Sequence, residues 1–600
     1  MRQMSQMPRL WVLLGVVGLE GAAALLPAAR CPHVGLLQAA RSRWVTPVVT
    51  RNSPSRWAAA PCMSAAPLLE LEAMEALARG IKAVAVGVHG SKPIPEELVS
   101  TLVEAIDWTD QLPPLQPGRV APVTLPATIE DALSGASTRK VGEEVEARER
   151  LASFLGTLFV KHEVSDTDVR VLQAAARRRP ALANSGVARG GCTSAQIVSL
   201  AGGEQASKEL MGLAQRLLEG ESLEEGEAFR LGKRLLDAEE PSSVRSLCAH
   251  ILRVRYETRD EWAGLVKAQE EAIDNEKFLG QETMAPFRAT GEERRVVVQM
   301  AEPFDGMNRN HLLTPLIAWH LQREWPVVAV NMCGRSAGPK YGPNVRDIAA
   351  MAGPFLAPFA KTTDDLMENI RAKQEGEEEE YERDMSEDLK RLVDRSYPPS
   401  LGWYVDQYDC APALEEWVDL RRNIIKRPFL ATSEKFLDVC GADVFVASAF
   451  HPSYGEKMLQ MVEDSTKFKA AIIVRKGLEG TMGLGLGRTA EMICAVRGED
   501  GKMERKDLQF GPKDMGWEIG SDPKLEVTTA DTMTKTRAFM KTGTSGDAYF
   551  DRRTQLTLVG MDQAFDWVFS RITEQGEDDA EDERDYRDEE YDGDGGQEDM

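Results

Sequence analysis

Two periodicities divide this chain. From about residue 68 to residue 280 apolar residues recur at helical spacing, and from Arg294 onward short apolar runs alternate with helical stretches. Leu69, Met74, Leu77 and Ile81 begin one stripe, and Leu151, Phe154, Leu155, Leu158 and Phe159 form another, beyond a Pro-rich link from Leu112 to Pro126. Ala181 to Gly203 is rich in Gly, Ala and Ser and reads as a linker. A four-helix run follows. Leu210, Leu213, Leu217 and Leu218 line its first helix, and Ser222-x-x-Glu225 predicts a capping box for the second, with Ala228, Leu231 and Leu235 inward. Pro241-Ser242 starts a third helix with Val244, Leu247, Ile251 and Val254, and Thr258-x-x-Glu261 caps a fourth with Trp262, Leu265 and Val266.

The second region predicts a strand over Arg295–Met300, a polar loop to Asn310, a helix over His311–Arg323 and a strand over Val327–Asn331. Residues 362–396, centred on the acids from Glu375 to Glu380, interrupt it as a charged helix or loose insertion. The sheet resumes near Trp403. Ala442–Phe450, a helix-like turn over Tyr454–Val462, and Ala470–Val474 repeat the strand–helix–strand rhythm, and the last helices span roughly Asp531–Ile572. Such alternation predicts an α/β fold with an all-α cap: a doubly wound, mainly parallel sheet that binds ligands at its C-terminal edge.

The ends are of a different kind. Trp11–Leu26 is largely apolar behind Arg2 and Arg9, and Gly21–Leu69 holds five arginines with no acid and no lysine. A signal-like segment followed by an Arg-rich, acid-free one predicts an organelle-targeting leader over 1–63, for a plastid or alternatively a mitochondrion. Glu574–Met600 sums to −13, a density that predicts a disordered acidic tail. The first 63 residues sum to +6, leaving −17 of the chain's −24 on residues 64–573. A body this acidic argues against non-specific nucleic-acid binding, which depends on cations facing phosphates. Outside the N-terminus no apolar run reaches the length of a membrane span. The eight cysteines are scattered, with no CxxC pair, so neither a disulfide framework nor a zinc site is indicated.

Two stretches narrow the function. ELMGLAQRLLEGESLEEGEAFRLGKRLL with its continuation to Ala268, and KGLEGTMGLGLGRT at Lys476–Thr489, resemble the anthranilate phosphoribosyltransferase family over about residues 205–570. That resemblance implies a helical cap over 205–280, preceded by a helical extension over 68–200, and a nucleoside phosphorylase/phosphoribosyltransferase-type α/β domain over 283–572. It further implies pentosyl transfer from a phosphoribosyl pyrophosphate-like donor with Mg²⁺, a place in tryptophan biosynthesis, and a homodimer through the cap. The same likeness is compatible with a different acceptor, or with a catalytically silent member that binds a ligand or partner.

The resemblance also nominates residues. The family's Gly-Thr-Gly-Gly-Asp diphosphate loop is replaced here by Glu302-Pro-Phe-Asp-Gly-Met-Asn-Arg309, where Asp305, Gly306 and Arg309 are the donor-site candidates. Gly334, Arg335 and Ser336, then Lys340 in Lys340-Tyr-Gly342, stand where the family holds phosphate and acceptor. Arg421, Arg422 and Arg427 match an acceptor-carboxylate segment, for which a guanidinium fork suits bidentate contact, and His451 after a strand could orient substrate or cap a helix. The family's two-carboxylate metal turn appears as Gly477-Leu-Glu479-Gly480, leaving Glu479 as the metal candidate. The glycines beyond it read as a mobile turn. Gly543-Thr-Ser-Gly-Asp547 nearly spells the missing loop but follows no apolar strand, so it reads as a link between helices. No residue is singled out as catalytic.

Overall fold

A computed structural model describes residues 66–85, 92–112, 136–273, 289–290, 293–303, 306–335, 342–361, 400–424, 428–450, 452–465 and 467–591. The expected leader and the acidic insertion lie outside these residues.

Nine helices precede the sheet among the described residues: α1 Ala66–Val84, α2 Glu96–Asp110, α3 Ala136–Val160, α4 Asp166–Arg177, α5 Ser194–Leu200, α6 Lys208–Leu218, α7 Glu225–Leu235, α8 Ser242–Arg255 and α9 Arg259–Glu270. Their starts follow local chemistry. Ser165, Thr193 and Thr258 each accept from the amide three residues on, while the residue at that position returns a side-chain acceptor to the cap amide. The box expected at Ser222 is displaced by two residues: Glu224 and Glu227 form it, and the Ser222 hydroxyl instead accepts from Arg255.

These helices share one apolar core. Leu77, Ile81, Phe154, Leu158, Leu217, Leu247, Ile251 and Leu265 all belong to it and are essentially buried. Helices α3 and α8 cross so closely that a Cβ at Gly156 would lie 2.3 Å from Leu247 Cδ1. Residues 68–200 therefore build onto the expected cap rather than standing apart from it. The second half of the supposed linker is packed as well. A short hairpin pairs Ala188–Arg189 with Cys192–Thr193, and α5 follows with its residues buried. Small residues there serve tight turns, with Gly190 and Gly191 both at positive φ.

The sheet has seven strands: β1 Val296–Glu302, β2 Val327–Cys333, β3 Trp403–Asp406, β4 Val444–Ala449, β5 Ala470–Arg475, β6 Ala490–Arg497 and β7 Met503–Phe510. Their spatial order is β7-β6-β5-β4-β1-β2-β3. The five strands β1 to β5 pair in parallel, and β6 and β7 add antiparallel, a pair that the sequence reading did not anticipate. Strands β1 to β5 are buried along their whole length, which is why they read as unbroken Val, Ile and Ala runs.

One face of β1, with Val297 and Ala301, joins the core of the helical layer, while the other, with Val298 and Met300, packs on α10 Thr314–Glu324 and on α15 Ala548–Tyr591. Between those two come α11 Val345–Ala352, α12 Pro412–Ile424, α13 Pro452–Ser465 and α14 Thr529–Thr542. The Gly543–Asp547 segment joins α14 to α15, with Gly543 at φ +76° and Gly546 at +83°. The helical backbone of α15 runs to Tyr591, into the segment expected to be disordered. An isolated helix needs no collapse, and Glu and Arg are good helix formers. Edge strand β7 turns Glu504, Arg505, Lys506 and Asp507 to solvent. No helix among the described residues is long and apolar enough to cross a membrane.

Helices α7 and α9 meet backbone to backbone. A Cβ on Gly264 would lie 2.2 Å from the Glu225 carbonyl oxygen and 2.6 Å from the Phe229 amide nitrogen. Gly264→Ala is expected to cost about 1–3 kcal/mol by forcing the helices apart. The control Gly212→Ala, at an exposed helical position with open space, is expected to gain about 0.5–1 kcal/mol. Urea unfolding of both variants, read at constant m-value, checks the pair.

Candidate functional site

Chain order β1, β2, β3 runs outward in one direction, and β4 then pairs on the other side of β1. This reversal makes a switch point at the carboxyl ends of β1 and β4, the crevice in which open α/β sheets bind ligands. Three loops close around it. Gly306 takes φ +117°, and a Cβ there would lie 2.4 Å from the Gly342 carbonyl oxygen, so the loop after β1 lies flat on the loop after β2. The Met307 amide donates to the Pro343 carbonyl at 2.8 Å. The loop after β5 reaches the same point, because a Cβ on Gly480 would lie 2.3 Å from Met307 Cε. Arg309 and Glu479, both exposed, thus belong to loops that touch.

Glu302 ties this arrangement together. It ends β1, is fully buried, and accepts a hydrogen bond from the Thr314 hydroxyl on one oxygen. The other oxygen accepts from the Met482 amide at 2.7 Å, joining β1 to the loop after β5. Burial pushes its carboxyl up to about 7 from an ordinary 4.5, with the Thr314 and Met482 hydrogen bonds and Lys435 opposing.

The glycine run is not a mobile turn. Residues 481–486 are buried, and the amides of Met482, Gly483, Leu484 and Leu486 are satisfied within the chain. Leu484 donates to the Thr557 hydroxyl at 3.0 Å, while Leu486 and Gly487 donate to the two oxygens of Asp522 at 2.8 and 3.0 Å. The Tyr549 hydroxyl completes the Asp522 site at 3.0 Å. Glycines at 485 and 487 leave room for the carboxylate, since a Cβ at either would come within 3.0 Å of Asp522 Oδ2.

Beyond β2 and β3 lies a charged cluster. The Arg335 guanidinium stacks 3.5 Å from the Tyr408 ring centroid, and its side chain is 45% exposed. Its amide donates to Glu415 at 3.3 Å, and its Nε lies 3.9 Å from Asp406. Asp406, ending β3, also pairs with Arg346 and accepts from the Tyr408 amide at 3.1 Å. Gln407 donates to Glu415 at 3.0 Å and to Glu434 at 3.4 Å. Burial, with Asp406 and Glu434 nearby, pushes Glu415 up to about 8. Gly334 leads into this cluster, its Cα side open enough that an added Cβ would meet only Glu415 and Pro303 at ordinary contact.

Arg421 belongs to the interior instead. It is 2% exposed and paired with buried Glu434, so its fork is spent on a neighbouring carboxylate rather than offered to an acceptor. This corrects the expectation drawn from its match. Arg422 lies on α12 with its side chain outside the description, and Asp305, Ser336, Lys340, Arg427 and His451 fall outside the described residues.

Sequence reasoning passed over Glu302, Asp406 and Glu415, although an acid closing an apolar run was a readable sign in the first two. It also passed over His311, read only as a helix start. That ring is buried, bonds Asp531 at 2.7 Å with Lys535 3.2 Å away, and packs edge-on against Phe550. Burial holds its imidazole below the ordinary range, with Asp531 opposing. Among the described residues no three His, Cys, Asp or Glu side chains form a group that could hold a metal. A Mg²⁺ carried by substrate phosphates needs only one or two protein carboxylates, and Glu479 offers one at the crevice.

Neither a protein-family profile nor a curated protein matches the sequence. Solved structures do. The chain is similar to anthranilate phosphoribosyltransferases. That of Thermus thermophilus is 17% identical, over 60% of this chain and 98% of the other, with a TM-score of 0.34. That of Saccharomyces cerevisiae in complex with PRPP and Mg is 10% identical, over 60% and 90%, with a TM-score of 0.42. Its Ser121Ala variant with Mg bound is 10% identical over 60% and 93%, with a TM-score of 0.38. Identities this low assign no residue a role.

The raised carboxyls at Glu302 and Glu415 make stability pH-dependent. Because their folded values lie above 4.5, the stability they contribute is complete below that pH and is lost as pH rises through about 7 and about 8. Glu302→Gln keeps an acceptor for Met482 and turns its amide N–H toward the Thr314 hydroxyl, which then accepts, and is expected to flatten the fall in stability between pH 4.5 and about 7. Denaturant midpoints measured across that range for both proteins test this.

Proposed function

We propose that this chain is a pentosyl transferase of the phosphoribosyl type, holding a phosphoribosyl pyrophosphate-like donor in the crevice between β1 and β4. The observation that supports it best is the meeting of three loops at Met307, bringing together the segments that bear Arg309 and Glu479, with exposed Arg335 on the loop after β2. Diphosphate departure from a sugar carbon requires positioning and charge stabilisation more than a protein nucleophile. Arginines on the first two loops suit the diphosphate, since a planar fork binds phosphate oxygens in pairs. A Mg²⁺ bound with the donor would neutralise part of the diphosphate charge, with Glu479 as its protein ligand. Arg421 is already engaged by Glu434, so on this reading an acceptor carboxylate falls to Arg422 or Arg427.

A second reading, a silent relative that binds a ligand or partner, draws on one observation. The amides of the glycine run, which would suit an anion, are taken by Asp522 and Thr557.

Calorimetric titration of the full chain with phosphoribosyl pyrophosphate, with and without Mg²⁺, separates the two. The transferase reading expects micromolar, Mg²⁺-dependent binding, weakened about tenfold or more by Arg309→Ala, Arg335→Ala and Glu479→Ala, each tenfold being about 1.4 kcal/mol. Absence of binding at millimolar donor would reject the transferase reading in favour of the second.

A further inference from the structure

A second cavity, of about 620 Å³, lies between α9 and α13 and shares no residue with the crevice. At its wall sits Glu257, in the turn between α8 and α9, with its side chain 2% exposed. One Glu257 oxygen accepts from Lys457 at 3.3 Å, while the other is buried and makes no well-aligned hydrogen bond among the described residues, the residue's own amide acting on the carboxyl only weakly. Trp262, also lining the cavity, has a buried indole N–H with no acceptor among them. Buried polar atoms are nearly always partnered, so two orphans on one cavity wall call for an explanation.

The surroundings already hold an ammonium. Lys457 Nζ stands 5.1 Å from the Trp262 ring centre and 5.9 Å from those of Tyr256 and Tyr454. Tyr256 adopts φ +67° and ψ 129°, a backbone conformation that bulky residues rarely take, and is 50% exposed. Strain of this kind persists where surrounding contacts impose it, and it clusters at ligand-binding positions. Acidic lining residues outnumber basic ones five to three, and Val266 and Met461 supply apolar wall. Burial raises the Glu257 carboxyl, with Lys457, the residue's own amide and Arg253 opposing.

We propose that this cavity binds a small organic cation, a primary ammonium on a flat apolar body. The ammonium meets the unpartnered Glu257 oxygen, and the body lies against Trp262, Val266 and Met461. An anion would face the orphaned carboxylate instead of satisfying it.

Tryptamine is a suitable probe, with indole-3-propionate as the same ring bearing the opposite charge. Calorimetry on the full chain should show saturable tryptamine binding at millimolar concentration or tighter, with none for indole-3-propionate. Glu257→Gln, a near-isostere that removes the charge, should weaken tryptamine roughly tenfold. Ala263→Trp, which fills the cavity from a partly exposed helical position, should abolish binding while far-UV circular dichroism stays unchanged. Equal binding of the two probes, no saturation with tryptamine, or retained affinity in Ala263→Trp would each overturn the proposal. If Glu257→Gln does not fold, the probe pair and Ala263→Trp still decide it.

Discussion

Glu302 is a carboxylate with no access to water, held at the end of the central strand by a hydroxyl from α10 and an amide from the loop after β5. Two segments about 170 residues apart in sequence are joined through its two oxygens. The position of the post-β5 loop follows from that bond. So does the contact of Gly480 with Met307. Removing one partner of such a buried carboxylate leaves the rest unsatisfied, a cost larger than the bond itself contributes. The mouth of the crevice is therefore set by an interior polar contact as much as by packing.

The apolar periodicities were enough to place the parallel core. Val-rich runs at 296–302 and 327–333 and the Ala/Ile run at 470–475 have no other stable use than strands covered on both faces. Antiparallel β7 escaped notice because its exposed residues are charged, leaving no apolar alternation to detect. The extent of the helical layer was also hidden. Gly156 packs under Leu247, but a glycine in a helix and small residues at 181–203 suggest looseness when seen without their neighbours. The resemblance nominated Arg335 and Arg421 alike as substrate-binding cations, and only tertiary contacts separate an exposed guanidinium on Tyr408 from one neutralised by Glu434. The acids Asp406 and Glu415 acquire meaning from converging strand and helix ends, which no single stretch of sequence displays.

The glycine run illustrates how composition and conformation part company. Glycines at 485 and 487 do permit a close approach to the backbone, but the group that approaches is Asp522 of the same chain. Consecutive amides around an oxyanion form a concave anion site in many proteins. Here the oxyanion is covalently supplied, and Tyr549 from α15 locks it in place. The loop is held by the same kind of contact with which such loops elsewhere bind phosphate.

The two ends of the sheet limit how copies of this protein can meet. Strand β7 carries four consecutive charged residues toward solvent, and β3 at the opposite end is only four residues long. The row of unpaired amides and carbonyls is guarded by charge on β7 and is short on β3. Continuous strand-to-strand growth, the route by which exposed edges lead to fibrous aggregates, is thereby discouraged at both sides.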